Sequence, residues 1–104
     1  ILYDWLDTGE SLFYKAQKAM INLFTRCYPH IRSLDYKSIP QNNAMSTMHF
    51  QSDMISASKL NLDDEISIRQ ILNLLRARSF KGYPACSFEE NGVEYEVRIK
   101  ISKK

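Results

Sequence analysis

The sequence predicts an α+β fold with a long N-terminal helix, an extended connector, a second helix and a C-terminal antiparallel β-hairpin. Two segments near residues 8–28 and 63–78 carry apolar residues at the spacing of an amphipathic helix. Beyond residue 85, apolar and polar residues alternate on both sides of Asn91-Gly92, which is the pattern of a hairpin. Between the two helices the apolar period disappears, and this predicts the connector.

The first helix is expected to start at Asp7, with Glu10 three residues later completing an arrangement like a capping box. Thr8 is an alternative N-cap. Pro29 is expected to end or kink the helix near Tyr28, because proline lacks the amide hydrogen that the helix needs. The apolar stripe comprises Leu12, Phe13, Ala16, Met20, Leu23, Phe24 and Cys27.

The connector spans residues 35–62 and is rich in Ser, Asn and Gln. We expect it to be extended, with a short strand near Thr47–Phe50. A structureless stretch of this length is unusual inside an independent domain, so we interpret it as a strap that crosses a larger body.

The second helix is expected to begin at Asp63 or Asn61, followed by acidic residues that favour a helix N-terminus. Arg76 and Arg78 fall in or just beyond its last turn. The helix dipole stabilises cations there by about 0.3–1 kcal/mol each, which explains both arginines without a ligand.

The hairpin is the clearest local prediction, because Asn91-Gly92 suits a two-residue turn with positive φ at both positions. The predicted pairs are Glu90 with Val93, Phe88 with Tyr95, and Cys86 with Val97. The second strand is expected to alternate as far as Ile101, with one face packed and the other in solvent.

Composition narrows the functional classes. The chain has 104 residues, 44% of them hydrophobic and 25% charged, as in one soluble globular domain or a part of one. The sequence contains no run of about 18 apolar residues, so no transmembrane helix is expected. The opening ILYDWLDTGE has neither Met nor a signal segment, and we interpret it as a cut through a larger protein.

The charge balance and the two cysteines say little about function. The net charge is +2, and residues 69–104 carry eight Lys/Arg against four Asp/Glu, which makes this part mildly basic. Such a balance suits a phosphate-bearing ligand or an ordinary solvated surface. Cys27 and Cys86 are expected to be reduced and buried, as in a cytoplasmic protein, because the chain has no CxxC motif.

No motif supplies a complete active site. His30 and His49 are far apart and belong to no closely spaced ligand set, so a metal site is not expected. The chain lacks a glycine-rich phosphate loop. Aromatic and basic residues do alternate at Arg78, Phe80, Lys81 and Tyr83, where the rings could stack on a base or simply seal a core; we favour the second use.

The order of motifs resembles that of the 10-formyltetrahydrofolate-dependent formyltransferases, and of their sugar-nucleotide branch more than methionyl-tRNA formyltransferase. The resemblance rests on DTGESLFYK at residues 7–15, the Gln of IPQNN at position 41, MHFQSDM, and the run RARSFKGYP at residues 76–84. It covers nearly the whole chain. The RARSFKGYP run is its more specific marker, since the DTG helix start is common.

This resemblance implies a C-terminal portion without a catalytic site, because the family's catalytic Asn, His and Asp motifs lie upstream of the DTG segment. Residues 1–34 would contain the last helix of the catalytic domain. Residues 35–62 would connect it to a small C-terminal region of one helix and a β-hairpin at residues 63–104. The 10-formyltetrahydrofolate would bind in the missing N-terminal domain. Expected partners are that domain, a nucleotide-linked amino sugar and a second copy, with no membrane and no nucleic acid.

The resemblance also supplies candidate substrate-binding residues for the acceptor. Arginine pairs well with the phosphates of a nucleotide-linked sugar. The candidates are Arg76, Arg78, Phe80, Lys81 and Tyr83.

Two other interpretations remain open at the level of sequence. The basic C-terminal third could be a non-catalytic RNA- or protein-binding module, like the tRNA-reading domain of methionyl-tRNA formyltransferase. Too few strands follow Leu75 for a five-stranded OB barrel, and the positive charge is small for a nucleic-acid site. The chain could also be an independent α+β domain of unrelated function.

Overall fold

The computed structural model describes all residues from 1 to 104. It contains the helices α1 (Gly9–Arg32), α2 (Gln51–Ala57) and α3 (Ile68–Ala77), followed by strands β1 (Cys86–Glu90) and β2 (Val93–Val97). The α+β class and the closing hairpin are therefore as predicted.

The start of α1 is capped by Thr8, which was the alternative to Asp7. The Ser11 amide donates to the Thr8 hydroxyl at 3.3 Å, and the Thr8 amide donates back to the Ser11 hydroxyl at 3.0 Å. The reciprocal pair is therefore Thr8 with Ser11, and the expected partnership of Asp7 with Glu10 is wrong. Both bonds satisfy amides that no helical carbonyl can reach.

The helix α1 continues through Pro29 to Arg32, against the expectation that it would end near Tyr28. Proline removes one helical hydrogen bond. The surrounding turn is exposed, so water can satisfy the carbonyl that loses its partner. The helix ends where Leu34 adopts a left-handed φ of 58°.

The connector is more structured than predicted. A 3₁₀ turn forms at Asn43–Met45, and α2 occupies Gln51–Ala57 where the sequence shows no sustained period. The Phe50 amide donates to the Asp53 carboxylate at 2.8 Å, which fixes the start of α2. The short strand expected near Thr47–Phe50 is absent, because these residues lead into the helix instead of pairing with a strand.

The helix α3 begins later than predicted. Ser67 is its N-cap, and it exchanges hydrogen bonds with Gln70 in a capping box. Asn61 caps only a local turn, accepting from the Asp63 amide at 3.0 Å. The prediction of Asp63 or Asn61 as the cap was wrong because Ser67-x-x-Gln70 satisfies two amides at once.

The hairpin has the predicted register, with Cys86 opposite Val97, Phe88 opposite Tyr95 and Glu90 opposite Val93. Asn91 and Gly92 have φ of 51° and 77°, as their turn requires. The second strand ends at Val97 and not at Ile101. Val97 pairs with Cys86, the first residue of β1, so residues 98–101 have no partner strand.

The two edges of the hairpin have different surroundings. The outer edge of β1 is covered by the end of the connector, since Ser87 accepts from the Leu60 amide at 2.7 Å and donates to the Ser58 carbonyl at 3.1 Å. Lys59 and Ser87 form an isolated parallel bridge there. No segment of the chain pairs with the outer edge of β2.

The chain does not enclose a core of its own. Its radius of gyration is 18.9 Å, whereas a compact domain of this length has about 13 Å. Only four of 104 residues are buried, and the apolar stripe of α1 lies largely exposed along Phe13, Met20, Leu23 and Phe24. No helix combines the length and the apolar character that crossing a bilayer requires.

Candidate functional site

The five candidate substrate-binding residues lie around the C-terminal end of α3, but they do not share one site. Arg78, Phe80 and Tyr83 line one cavity, Lys81 lines a second that Phe80 also borders, and Arg76 lines a third. The helix end and the loop that follows it turn these side chains in different directions. The five residues are close in sequence, but the fold places them in different cavities.

The first cavity, which we call the α2 cavity, has a volume of about 460 Å³. It lies between α2, the end of α3 and the start of β1. Half of its lining is hydrophobic, which is typical of a pocket for an organic ligand or an apolar side chain. The lining residues are Phe13, Gln51, Met54, Ile55, Ser58, Lys59, Ala77, Arg78, Phe80, Tyr83, Pro84, Ala85, Ser87 and Glu94.

Aromatic packing forms one wall of the α2 cavity. Phe80 meets Tyr83 edge to face at 4.9 Å between ring centroids, and it meets Phe13 of α1 in the same manner at 5.5 Å. Such pairs contribute about 0.5–1.5 kcal/mol beyond the area that they bury. The rings that could face a ligand therefore also join α1 to the loop after α3.

Arg78 brings an unpaired positive charge to the α2 cavity. It forms no salt bridge, and its Nε atom is buried without a hydrogen-bond partner. Burial raises the pKa of the neighbouring Cys86 thiol, while the Arg78 charge opposes that rise. Lys59 and Glu94 also line the cavity, so an anionic group beside Arg78 would meet a net positive charge.

The second cavity, of about 450 Å³, holds Lys81 beside the start of α1. The Lys81 amide donates to the Glu10 carboxylate at 3.3 Å. Arg98 closes the other side by donating to the carbonyls of Phe80 at 2.9 Å and Tyr83 at 2.6 Å. These bonds hold the loop after α3 in place, a role for Arg98 that the sequence did not indicate.

The third cavity, which we call the Trp5 cleft, has a volume of about 300 Å³ and is lined by Tyr3, Asp4, Trp5, Arg69, Asn73 and Arg76. The Arg76 guanidinium carbon lies 4.5 Å from the centroid of the Trp5 ring, and that of Arg69 lies 5.3 Å away. Sequence reasoning missed Trp5 and Arg69. The available signal was the seven-residue spacing of the two arginines, which places them on one face of a helix.

Metal binding finds no support in the arrangement of side chains. No three His, Cys, Asp or Glu residues converge in a way that could hold a metal ion. Cys27 and Cys86 are both unpaired, the first half-buried and the second buried. What the chain offers is cavities lined by arginine and aromatic rings, together with an open strand edge.

Two solved structures share the fold of this chain. A 4-N formyltransferase from Francisella tularensis aligns with a TM-score of 0.85 and 21% identity, covering 100% of this chain and 43% of that one. A sugar N-formyltransferase from a Shewanella species aligns at 0.80 and 19% identity, covering 100% of this chain and 42% of that one. This chain thus spans less than half the length of either protein, and at such identities the likeness establishes the fold alone.

Sequence comparison identifies the C-terminal half more specifically. No curated protein sequence matches the chain. The sequence profile of the N-formyltransferase dimerization C-terminal domain matches residues 53–103, from within α2 to beyond β2. The match covers just under half of the chain, and it shows that residues 53–103 are similar to the C-terminal dimerization domains of N-formyltransferases.

Proposed function

We propose that this chain is the C-terminal portion of a cytoplasmic sugar N-formyltransferase, in which it joins two subunits and leaves formyl transfer to an N-terminal catalytic domain. The match of residues 53–103 to a dimerization domain carries this proposal. The catalytic domain would bind 10-formyltetrahydrofolate and hold the reacting amine of the acceptor, a nucleotide-linked amino sugar. The same match favours this function over the tRNA-reading alternative.

The outer edge of β2 is the surface best suited to a second copy. An unpaired strand edge presents amide and carbonyl groups that can extend the sheet with another chain. Val93 and Tyr95 on this strand are 50% and 48% exposed, which leaves apolar surface beside the open edge. The opposite edge is already covered by Leu60 and Ser58.

The exposed stripe of α1 suits a different partner. Phe24 and Tyr28 stack at 5.1 Å between centroids on a surface that no other part of the chain covers. Large exposed apolar patches usually mark contacts with another protein surface. We assign this stripe to the N-terminal catalytic domain, with residues 1–34 as the last helix of that domain and 35–62 as its connector.

Sedimentation of the chain over a range of concentrations tests the dimer. We expect a dimer that Tyr95→Glu converts to a monomer, because a charge beside the open edge opposes sheet pairing. Tyr36→Glu is the matched control, since Tyr36 is exposed in the connector and lies outside residues 53–103, which match the dimerization domain. Circular dichroism must show that both variants retain native secondary structure, and a wild-type chain that stays monomeric throughout would refute the proposal.

Acceptor binding is a second proposed role, favoured by the unpaired Arg78 in the α2 cavity. Arg78 would pair with a phosphate of the acceptor, with Phe80 and Tyr83 as the cavity wall. Arg76 and Lys81 remain candidates from the neighbouring cavities. In the parent enzyme, Arg78→Ala should raise the acceptor KM, whereas Arg32→Ala at the exposed end of α1 should not. An unchanged KM would remove Arg78 from this role.

A further inference from the structure

We propose that the Trp5 cleft is a separate binding site for a phosphate-bearing ligand, with Arg69 and Arg76 as the groups that bind the phosphate. The cleft lies between residues 3–5 and the outer face of α3, away from the open edge of β2. The inference rests on the geometry of these residues and does not require the chain to dimerise.

Arg76 is already fixed in position for such a role. Its two terminal nitrogens donate to the Asp4 carbonyl at 2.8 Å and to the Asn73 side-chain oxygen at 3.0 Å. Its guanidinium also lies against the Trp5 ring. A guanidinium held in this way loses little conformational freedom when an anion arrives.

Arg69 provides the free binding group. It lines the same cleft and contacts the same ring, yet it forms no ion pair and no side-chain hydrogen bond. All five of its N–H donors are therefore available, and a guanidinium can bind phosphate oxygens through two parallel hydrogen bonds. Both guanidinium groups contact the Trp5 ring, which keeps both charges at the cleft without neutralising either.

The charge balance favours an anion. Arg76 donates to neutral oxygens only, and Asp4 is the single carboxylate that lines the cleft. Two guanidinium charges thus face one carboxylate. The Nε atom of Arg76 is buried without a partner, which leaves part of its charge uncompensated within the protein.

The size and lining of the cleft define the ligand class. A volume of about 300 Å³ accommodates a phosphate or diphosphate with part of an attached group. The exposed ring of Tyr3 and the open part of the Trp5 ring could contact a sugar or a base. Two arginines are too few for a nucleic-acid backbone, so the ligand would be a small phosphate compound.

Intrinsic fluorescence tests the proposal directly, because Trp5 is the only tryptophan of the chain. The chain is titrated with pyrophosphate and, separately, with uridine diphosphate, each against potassium chloride at equal ionic strength. We expect a saturable change in Trp5 emission with at least one phosphate compound and none with chloride. Tighter binding of the nucleotide would identify a nucleotide ligand, whereas equal binding would identify the phosphates alone.

Arg69→Gln is the decisive variant, since the Arg69 side chain makes no hydrogen bond or ion pair within the fold and its one described contact is with the Trp5 ring. It should weaken binding by roughly tenfold or more, through loss of hydrogen bonds to a charged group. Arg26→Gln, on the exposed surface of α1, makes the same change in charge and should bind as the wild type does. An emission change that chloride reproduces, or one that Arg69→Gln leaves unaltered, would overturn the proposal, as would no saturable change at all. Dimerisation is measured in a separate experiment, so the dimer proposal and the Trp5 cleft proposal can be refuted independently.

Discussion

The carbonyl oxygen of Ala77 occupies the space into which a side chain at Gly9 would project. The first residue of α1 thus touches the last residue of α3, although 68 positions separate them. Nearby, the Glu10 amide donates to the Ser79 carbonyl at 3.4 Å. This junction holds the start of α1 against the end of α3.

Gly9→Ala should therefore destabilise the chain. Alanine favours a helix over glycine by about 1 kcal/mol, so propensity alone predicts the opposite sign. The clash with a backbone carbonyl cannot be relieved by turning a side chain, and overpacking of this kind costs about 1–3 kcal/mol. Urea denaturation followed by circular dichroism measures the change.

Gln17→Ala is the control for that experiment, because Gln17 is exposed within α1 and makes no hydrogen bond through its side chain. It should change the free energy of unfolding by less than about 0.5 kcal/mol. If Gly9→Ala stabilised the chain as helix propensity predicts, the close approach to Ala77 would be contradicted.

The Gly9 contact illustrates which parts of the fold the sequence could predict. The hairpin register followed from Asn91-Gly92 and the alternation around it, because both are local and each depends on neighbouring residues. Gly9 looked like an ordinary residue of a helix start. Its requirement arises from Ala77, a contact across most of the chain that no local pattern encodes.

Asp7 gives a prediction about pH. Its carboxylate pairs with Lys15 at 2.8 Å and accepts from the Ser11 hydroxyl at 2.7 Å and the Asp4 amide at 2.9 Å. These contacts, with Lys15 the largest contributor, lower the pKa of Asp7 from 3.8 to about 2. Because the folded pKa is depressed, the stabilisation is complete above the ordinary pKa and is lost as the pH falls through the folded one.

Asp7→Asn should consequently lower the melting temperature at neutral pH. The difference in melting temperature between Asp7→Asn and the wild type should become smaller as the pH falls from 3.8 to about 2. Thermal melts at a series of pH values measure it. Asp63→Asn serves for comparison, since Asp63 is exposed and forms no salt bridge. A gap for Asp7→Asn that stayed constant down to pH 2 would show that the charge of Asp7 does not stabilise the fold.

The two cysteines should differ in reactivity. Cys86 is 0% exposed and burial raises the pKa of its thiol, so it has little thiolate and no access to a reagent. Cys27 is half-buried on α1. A disulfide reagent such as DTNB should label Cys27 in the native chain and Cys86 only after denaturant is added.

Cys27→Ser provides the check on that assignment, because it should abolish labelling in the native state and leave one reactive thiol in the unfolded state. Rapid labelling of native Cys27→Ser would mean that the end of α3 opens often enough to expose Cys86. Local opening of that kind would contradict the packing seen around β1.

The candidate site was predictable only in part. The RARSFKGYP run directed attention to the end of α3 and the loop after it, where basic and aromatic side chains line three cavities. The sequence could not show that Arg76 and Arg78 point into different cavities. That division depends on Trp5 and on α2, and α2 itself lacks the periodicity that would have predicted it.

Arg98 should govern the order of the loop that carries Phe80, Lys81 and Tyr83. Its guanidinium donates to the carbonyls of Phe80 and Tyr83 and to the Glu96 carboxylate, three bonds that a single planar group makes at once. Arg98→Lys keeps the charge but loses the planar fork, and an ammonium on a shorter reach cannot bond all three oxygens.

We therefore expect Arg98→Lys to cost about 1 kcal/mol of stability, a modest value because the side chain is half exposed. The more specific expectation is faster hydrogen exchange at the Tyr83 amide, which donates to the Phe80 carbonyl within the loop. Arg32→Lys, at the exposed end of α1, should leave that amide unchanged. If exchange at Tyr83 were equally slow in both variants, the loop would be held by the aromatic contacts of Phe80 with Phe13 and Tyr83, and Arg98 would be dispensable for the shape of both cavities that Phe80 lines.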